Sequence, residues 1–464
     1  MSDREQHGCP QGWKRTTLGE ALPIHYGKAR NQKYGTVRDD TPVYGSSGRI
    51  DTFHRALTGG PSLIIGRKGT VGATYYCPEP CWPIDTVYFT EATADEDLRF
   101  FKYLLDHLQL ARMDRSTAVP GLSRDDYNAT DVFIPELDQQ RLIVAEIEKQ
   151  FSRLDEAVAN LKRVKANLKR YKASVLKAAV EGKLTEDWRK AHPNVEPASK
   201  LLERILVERR KEECLNEQVP LDVTFFDQLP NGWCWSRIED LGAVQLGRQR
   251  APKYHSGHNM RPYLRVQNIF EDHIDLEDVK EMDFPRDDYE KFKLKSGDIL
   301  LNEGQSPHLL GRPAIYRGEL PGACFTNTLI RFKAYAPVPP EYPLIVFRAY
   351  MRTGRFTREG TITTNIAHLS AGRFAKIEFP VPPLREQQEI VAEVERRLSV
   401  IEELEAAVEA NLTRADRLRQ SILNQAFSGQ LLGGDTNRAP DILSTFSIAA
   451  ESQSAYGKDG HAGR

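Results

Sequence analysis

No stretch of the chain approaches the ~18 consecutive apolar residues that a membrane-spanning helix requires. The opening Met1-Ser2-Asp3-Arg4-Glu5 lacks the apolar core of an export signal, so neither a span nor secretion is expected. Cysteine is sparse and scattered: there are six, and only Cys77 and Cys81 lie close together. A structural zinc site needs a second ligand pair at similar spacing, so no metal is expected, and unpaired thiols point to the cytoplasm. Charge of one sign is not in excess, since the formal net charge is −1. That excludes a chain coated in cations, though not local basic surfaces.

Catalytic signatures are missing as well. There is no GxxxxGK[ST] phosphate loop; Gly66-Arg67-Lys68-Gly69-Thr70-Val71-Gly72 has the glycines at the wrong spacing and reads as a turn between strands. Neither HExxH, GxSxG nor the Asn/Asp-Pro-Pro-Tyr tetrapeptide of amino methyltransferases occurs. Asp298 and Glu303 could be paired as the carboxylates of a metal nuclease, but the strand-end turn that holds them needs no such role. His255 and His258 sit in a glycine-containing loop as hydrogen-bonding or exposed groups.

What the chain does contain is a long internal repeat. Leu122 to Leu184 recurs, without a gap, 247 positions on, as Leu369 to Leu431. Ile143-Val144-Ala145-Glu146-Ile147-Glu148 matches Ile390-Val391-Ala392-Glu393-Val394-Glu395, and both copies end at a glycine, Gly182 or Gly429. Between Pro135 and Gly182, and between Pro383 and Gly429, there is no proline, and each copy predicts one long helix that starts after a proline and stops at a glycine. Apolar residues at alternating spacings of four and three form a coiled-coil seam: Ile147, Phe151, Leu154, Val158, Leu161, Leu168 and Val175 in the first, Val394, Leu398, Ile401, Val408, Leu412 and Ile422 in the second. Lys165 interrupts the first seam where the second supplies Leu412, and Glu405 interrupts the second where the first supplies Val158, so the two helices are expected to pack on each other. A helix of about 40 residues measures about 60 Å, enough for a rod that holds two bodies apart.

The expected organisation is α+β: two similar domains in inverted orientation, separated by two long antiparallel coiled-coil helices. Its parts are a body over 12–135, the first helix over 136–184, a connector over 185–227, a second body over 228–382, the second helix over 383–432 and a disordered tail over 433–464. The bodies open alike, at Gly12-Trp13 and Gly232-Trp233, and close alike, at Leu122-Ser123 and Leu369-Ser370, yet diverge between. Strands are expected at Ser62–Gly66, Ala73–Tyr76, Thr86–Thr90 and within Asp298–Glu303, with amphipathic helices at Asp95–Met113 and near Ala198–Cys214. One scaffold used twice with different surfaces suits the reading of two different things better than the catalysis of one reaction.

Those surfaces carry basic and amide residues. From Gly242 to Phe270 there is no Asp or Glu, while Arg248, Arg250, Lys253, Arg261 and Arg265 alternate with Gln267, Asn268 and other polar residues. Arg, Gln and Asn make paired hydrogen bonds to purine edges, and Lys and Arg hold phosphates. Arg348, Arg352, Arg355, Arg358 and Arg373 form a second set near Thr364 and Asn365, and acids are thinned over residues 12–72 around Arg30, Lys33, Arg67 and Lys68. Candidate DNA-binding residues are Arg30, Lys33, Ser46, Ser47, Arg67 and Lys68 in the first body. In the second they are Arg248, Arg250, Lys253, Arg265, Gln267, Asn268, Asn302, Thr364 and Asn365.

The Gly-Trp openings, the Ser296-Gly297-Asp298-Ile299-Leu300 run, the paired segments Pro135 to Glu148 and Pro382 to Glu395, and the two helix ends together resemble the specificity subunit of Type I restriction-modification systems. The resemblance covers residues 12 to about 432. It implies two target-recognition domains, each reading one half of a split double-stranded DNA target. It also implies no catalysis by this chain, and recruitment of two methyltransferase subunits and two restriction subunits. Any S-adenosylmethionine, ATP and Mg would belong to those partners. Glu136 and Asp138 depart from Pro383 and Arg385 of the second copy, so the first helix is expected to start differently. The alternatives are a nuclease or methyltransferase braced by long helices, and a coiled-coil adaptor that binds no nucleic acid.

Overall fold

Proline has no amide to donate to a sheet ladder but is tolerated at the start of a helix, and Pro135 and Pro382 each follow the last residue of a strand, just before a helix. In the computed structural model, which describes residues 10–30, 40–92, 96–113, 121–212, 228–363 and 365–432, the two long helices run Leu137–Val180 and Leu384–Phe427. Their boundaries correspond residue for residue across the repeat, so Glu136 and Asp138 do not move the start of the first. The reason is a shared cap: Gln140 and Gln387, both buried, turn their side-chain amides back onto the carbonyls of Pro135 and Pro382, at 3.0 Å in each case. The far ends agree too. Gly182 (φ +68°) and Gly429 (φ +77°) adopt the left-handed conformation, and backbone bonds from Lys183 to Ala178 and from Gln430 to Gln425 close the same helix-terminating turn.

The chain divides into two units, residues 1–164 with 406–464, and residues 165–405. In each, half of one long helix lies antiparallel to half of the other. In the first unit, Asp155 pairs with Arg419 while Ile143, Val144 and Ile147 share a core with Ile422 to Phe427. In the second, Lys172 lies 3.7 Å from Glu402, while Thr185 and Arg189, beyond the end of the first helix, reach Glu386. These two interhelical ion pairs are repeat equivalents of each other. The buried seam is Ile147, Phe151, Leu154, Leu161, Leu168 and Val175 against Val394, Leu398, Ile401, Val408, Ala415 and Ile422. Ala415 thus stands at the place of Leu168, and Leu412, expected in the seam, is only half-buried, as is Val158.

In the first unit, β1 (Lys14–Thr17) pairs antiparallel with β6 (Asp131–Ile134), while β2 (His25–Tyr26), β3 (Ser62–Gly66), β4 (Thr74–Cys77) and β5 (Val87–Glu91) form an antiparallel sheet in the order β2-β5-β3-β4. A helix over Leu98–Leu108, capped by Asp97, buries Phe100, Phe101, Leu104 and Leu105 against this sheet and the long helices. The expected helix over Asp95–Met113 is therefore shorter: Gln109 turns left-handed at its end, a short 3-10 turn covers Leu110–Met113, and residue 95 lies outside the described residues.

The second unit repeats this plan. β7 (Cys234–Arg237) pairs with β12 (Glu378–Val381), and β8 (Gly242–Leu246), β9 (Ile299–Asn302), β10 (Pro313–Ile315) and β11 (Leu329–Ala334) form an antiparallel sheet in the order β8-β11-β9-β10. Numbered along the chain within each unit, both sheets run first, fourth, second, third. Each unit adds a three-stranded sheet whose middle strand, Thr41–Gly45 or Met260–Leu264, is antiparallel to one neighbour and parallel to the other. The two bodies share these sheets and their strand order, and the second adds the pair Ile269–Phe270 with His273–Ile274 and a three-stranded sheet of Gly304–Gln305, Ile366–His368 and Thr361–Thr363. The connector holds helices over Glu186–Ala191 and Ala198–Glu212; residues 213–227, the leader before Pro10 and the tail from Gly433 lie outside the described residues. No helix among the described residues is long and apolar enough to cross a membrane.

Candidate DNA interface

The turn after the second sheet strand occupies the same backbone position in both units. In the first unit the Arg67 amide donates to the Thr86 carbonyl at 3.0 Å and its carbonyl accepts from Leu122 at 2.9 Å. In the second the Glu303 amide donates to Thr328 at 3.0 Å and its carbonyl accepts from Leu369 at 2.8 Å. Leu122 and Leu369 are the first residues of the two repeats, so the duplicated segment is what fixes this turn. The next residue, Lys68 or Gly304, pairs with Gly121 or His368, again equivalent positions.

Around the first of these turns several candidates gather. Arg67 places its guanidinium beside Tyr26 and Tyr88, 5.4 and 5.9 Å from the ring centres, and donates to the Asp85 carbonyl at 2.8 Å. Lys68 is exposed beside it. The hairpin turn bearing half-buried Ser46 and exposed Ser47 reaches the same place: a Cβ added at Gly69 would lie 3.0 Å from the Ser46 hydroxyl. Arg30 is set on the neighbouring sheet by Asp51, at 2.7 Å, and lies over Phe53. Lys33 lies outside the described residues.

In the second unit the candidates separate into two kinds. Arg250, Lys253 and Gln267 are exposed, with Arg250 over Tyr263 and Lys253 over Tyr254. Arg248, by contrast, is buried; it stacks 3.9 Å from the Tyr254 ring centre, pairs with Asp288 at 2.9 Å and bonds the Asp283 carbonyl. Arg265 pairs with Asp278 and bonds Gln267, its side chain only 12% exposed. Asn268 is buried and ties its own loop, donating to the Asp275 carbonyl at 2.9 Å and accepting from the Arg265 amide at 3.1 Å. Asn302 is fully buried, and neither atom of its amide has a hydrogen-bond partner among the described residues. Asn365 is exposed at the turn between strands Thr361–Thr363 and Ile366–His368; Thr364 lies outside the described residues.

Much of the second arginine set holds the body together. Arg348 and Arg352 grip Glu271, at 3.1 and 2.6 Å, and Arg355 forks onto Glu378. Burial by itself would raise the Glu271 carboxyl, but hydrogen bonds and charge from Arg352 and Arg348 bring it below the usual carboxylate range. Asp298 and Glu303 stand at opposite ends of β9, and Asp298 is spent on the Lys295 amide, at 3.0 Å, and on Arg331. Cys77 and Cys81 are both buried, and burial pushes the Cys81 thiol up to about 12.

The family model described as the Type I restriction modification DNA specificity domain matches residues 10–170 and 230–414. The chain belongs to that family. The two matched stretches of this DNA-specificity protein begin at its two Pro-x-Gly-Trp turns and run into its two long helices. It is 24% identical over 353 residues to the EcoKI specificity subunit of a Type I restriction enzyme from Escherichia coli (strain K12), which covers 76% of this chain and 68% of that one. It is 24% identical over 453 residues to the EcoDI specificity subunit of Escherichia coli, covering 95% and 94% of the two chains. Among solved structures, a chain from work on assembly and conformational transition of the type I R-M system covers 91% of this chain and 99% of that one, with a TM-score of 0.59 at 16% identity. The HsdS subunit of Thermoanaerobacter tengcongensis covers 93% and 100%, with a TM-score of 0.50 at 16% identity. At such identity the likeness is one of fold.

Proposed function

We propose that this chain is the DNA-recognition subunit of a Type I restriction-modification complex, each unit reading one half of a split, asymmetric duplex target. The observation that carries this reading is duplication of the frame without duplication of the surface. Strand order, helix boundaries and the hydrogen bonds of the strand-end turn repeat, whereas the side chains set on them differ, Arg67 in one unit and Glu303 in the other. A frame kept twice under selection for geometry, with side chains free to differ, suits two readers of different base sequences. Exposed Arg250, Lys253 and Lys68 are suited to phosphates, and Gln267, Ser47 and Asn365 to base edges.

Catalysis then falls to partners. Two methyltransferase subunits would bring S-adenosylmethionine, and two restriction subunits would bring ATP and Mg. The chain mixed with its methyltransferase subunit and a labelled methyl donor should modify only duplexes that contain the target, and neither component alone should do so. Methyl transfer by the chain alone, or modification indifferent to sequence, would overturn this function.

A further inference from the structure

We propose that the residue just after the second sheet strand reads a base in both units, and that its opposite charge in the two makes the half-sites differ: Arg67 takes a guanine and Glu303 a cytosine. The inference rests on the DNA-recognition function above and deepens it to single positions. Its ground is the shared backbone environment. Both residues are pinned through amide and carbonyl to equivalent neighbours, so their side chains leave the sheet from one and the same place. At this one place the first unit carries a cation and the second an anion, which gives the two units opposite recognition chemistry on a shared frame.

Each side chain is also prepared as a reader. The Arg67 guanidinium is held between the Tyr26 and Tyr88 rings, 5.4 and 5.9 Å from their centres, and its one hydrogen bond among the described residues uses only Nη2. The fork therefore keeps donors to offer, and a fixed guanidinium matches the two acceptors, O6 and N7, on the guanine edge. Glu303 keeps one carboxylate oxygen at 3.4 Å from His368 Nδ1, and its other oxygen has no hydrogen-bond partner among the described residues. A carboxylate accepts from the cytosine N4 amine and is repelled by the acceptor edge of guanine. Immediately before Glu303 stands Asn302, a buried amide with no partner among the described residues, at the position that Gly66 takes in the first unit. The surroundings suit an anionic ligand: from Gly360 to Ile377 there is no Asp or Glu, while His368, Arg373 and Lys376 are present.

The test uses the full chain assembled with its methyltransferase subunits, once the methylated target has been read by sequencing modified genomic DNA. Competition binding then runs over duplexes with each base pair of the target changed in turn. Arg67→Gln should convert one guanine preference to adenine in one half-site, and Glu303→Gln should convert one cytosine preference to adenine in the other, because an amide pairs with the adenine edge. Discrimination at that position should fall by about 5- to 150-fold while all other positions hold. Arg67→Lys, which keeps the charge but loses the fork, should retain overall affinity and still lose the guanine preference. An unchanged target in both Gln variants overturns the proposal, and so does a loss of binding spread evenly over all sequences. Wild-type complex that binds every duplex alike would instead overturn the recognition function itself.

Discussion

A buried carboxylate shows what single residues contribute to this frame. Glu386, fully buried in the first turn of the second long helix, accepts from Thr185 Oγ1 at 2.7 Å, Arg189 Nη2 at 2.7 Å and Trp233 Nε1 at 2.9 Å. Arg189 also donates to the Gly182 carbonyl at 2.6 Å, so one cluster clasps both helix ends and the Gly-Trp opening of the second body. Arg189→Ala would leave the buried carboxylate without its cation, with only the Thr185 and Trp233 donors, and chemical denaturation should record a loss of about 3 kcal/mol; Glu386→Gln, which keeps an acceptor in place, should cost less. His107 offers a pH signature. It stacks on Phe427 at 5.2 Å, and burial lowers its pKa, against the opposing hydrogen bond with Asn424. Since the unfolded ring titrates near ~6.5 and the folded one lower, the unfolded chain binds the extra proton first. The stability contributed by the neutral ring is complete above that value and is lost as pH falls below it, through the folded pKa. Denaturation midpoints of His107→Phe should therefore decline less than those of the wild type on acidification from pH 7. At this scale the sequence was least legible. Acid-free Gly242 to Phe270 read as an open basic face, yet Arg248 and Arg265 are taken up by Asp288 and Asp278, acids that lie beyond the stretch and meet it only in the fold.

Among the elements, the long helices were the most legible, because a heptad seam and an ungapped repeat are local patterns that tertiary structure only has to honour. Their pairing direction was not written in either copy alone. In the antiparallel pair the seam positions that carry cations find partners across it: Lys172 and Arg419, repeat equivalents, reach out of the seam to Glu402 and Asp155, and Arg419 also lies 4.4 Å from the Phe151 ring centre. A polar seam residue specifies register at a small cost in stability. Asp155→Arg should lower stability by about 0.5–1 kcal/mol, the scale of a partly exposed ion pair, and Arg419→Asp in the same chain should restore it; a double-mutant cycle with no coupling would show that the pair does not set the register. Helix termination can be tested at Gly182, where an added Cβ would come within 2.5 Å of Pro230 Cγ and the φ of +68° already disfavours a side chain. Gly182→Ala should cost more than the ~1–2 kcal/mol of left-handed backbone alone, measured as thermal stability of the full chain. The sheets were legible only in part: β3 and β9 read clearly as short apolar runs, but their shared order in the sheet depends on pairings far apart in sequence, which no local pattern encodes.

At the scale of the whole molecule, each long helix runs from one unit into the other, and if the proposed function holds, their length should set the gap between the two half-sites. A heptad adds about 10 Å of helix, close to three base pairs at 3.4 Å each. Inserted after both Leu161 and Val408, it keeps the seam in register and should lengthen the gap while both half-sites stay the same. A heptad in one helix alone should strain the pair and weaken assembly. The most direct measurement is sequencing of methylated bases in cells that carry the wild-type or the doubly lengthened chain together with its methyltransferase subunits. The account predicts a target of two defined half-sites around a gap of any sequence, with the gap alone longer in the lengthened chain. A continuous target, or a gap that does not change when a fully assembled complex carries the insertions, would contradict it.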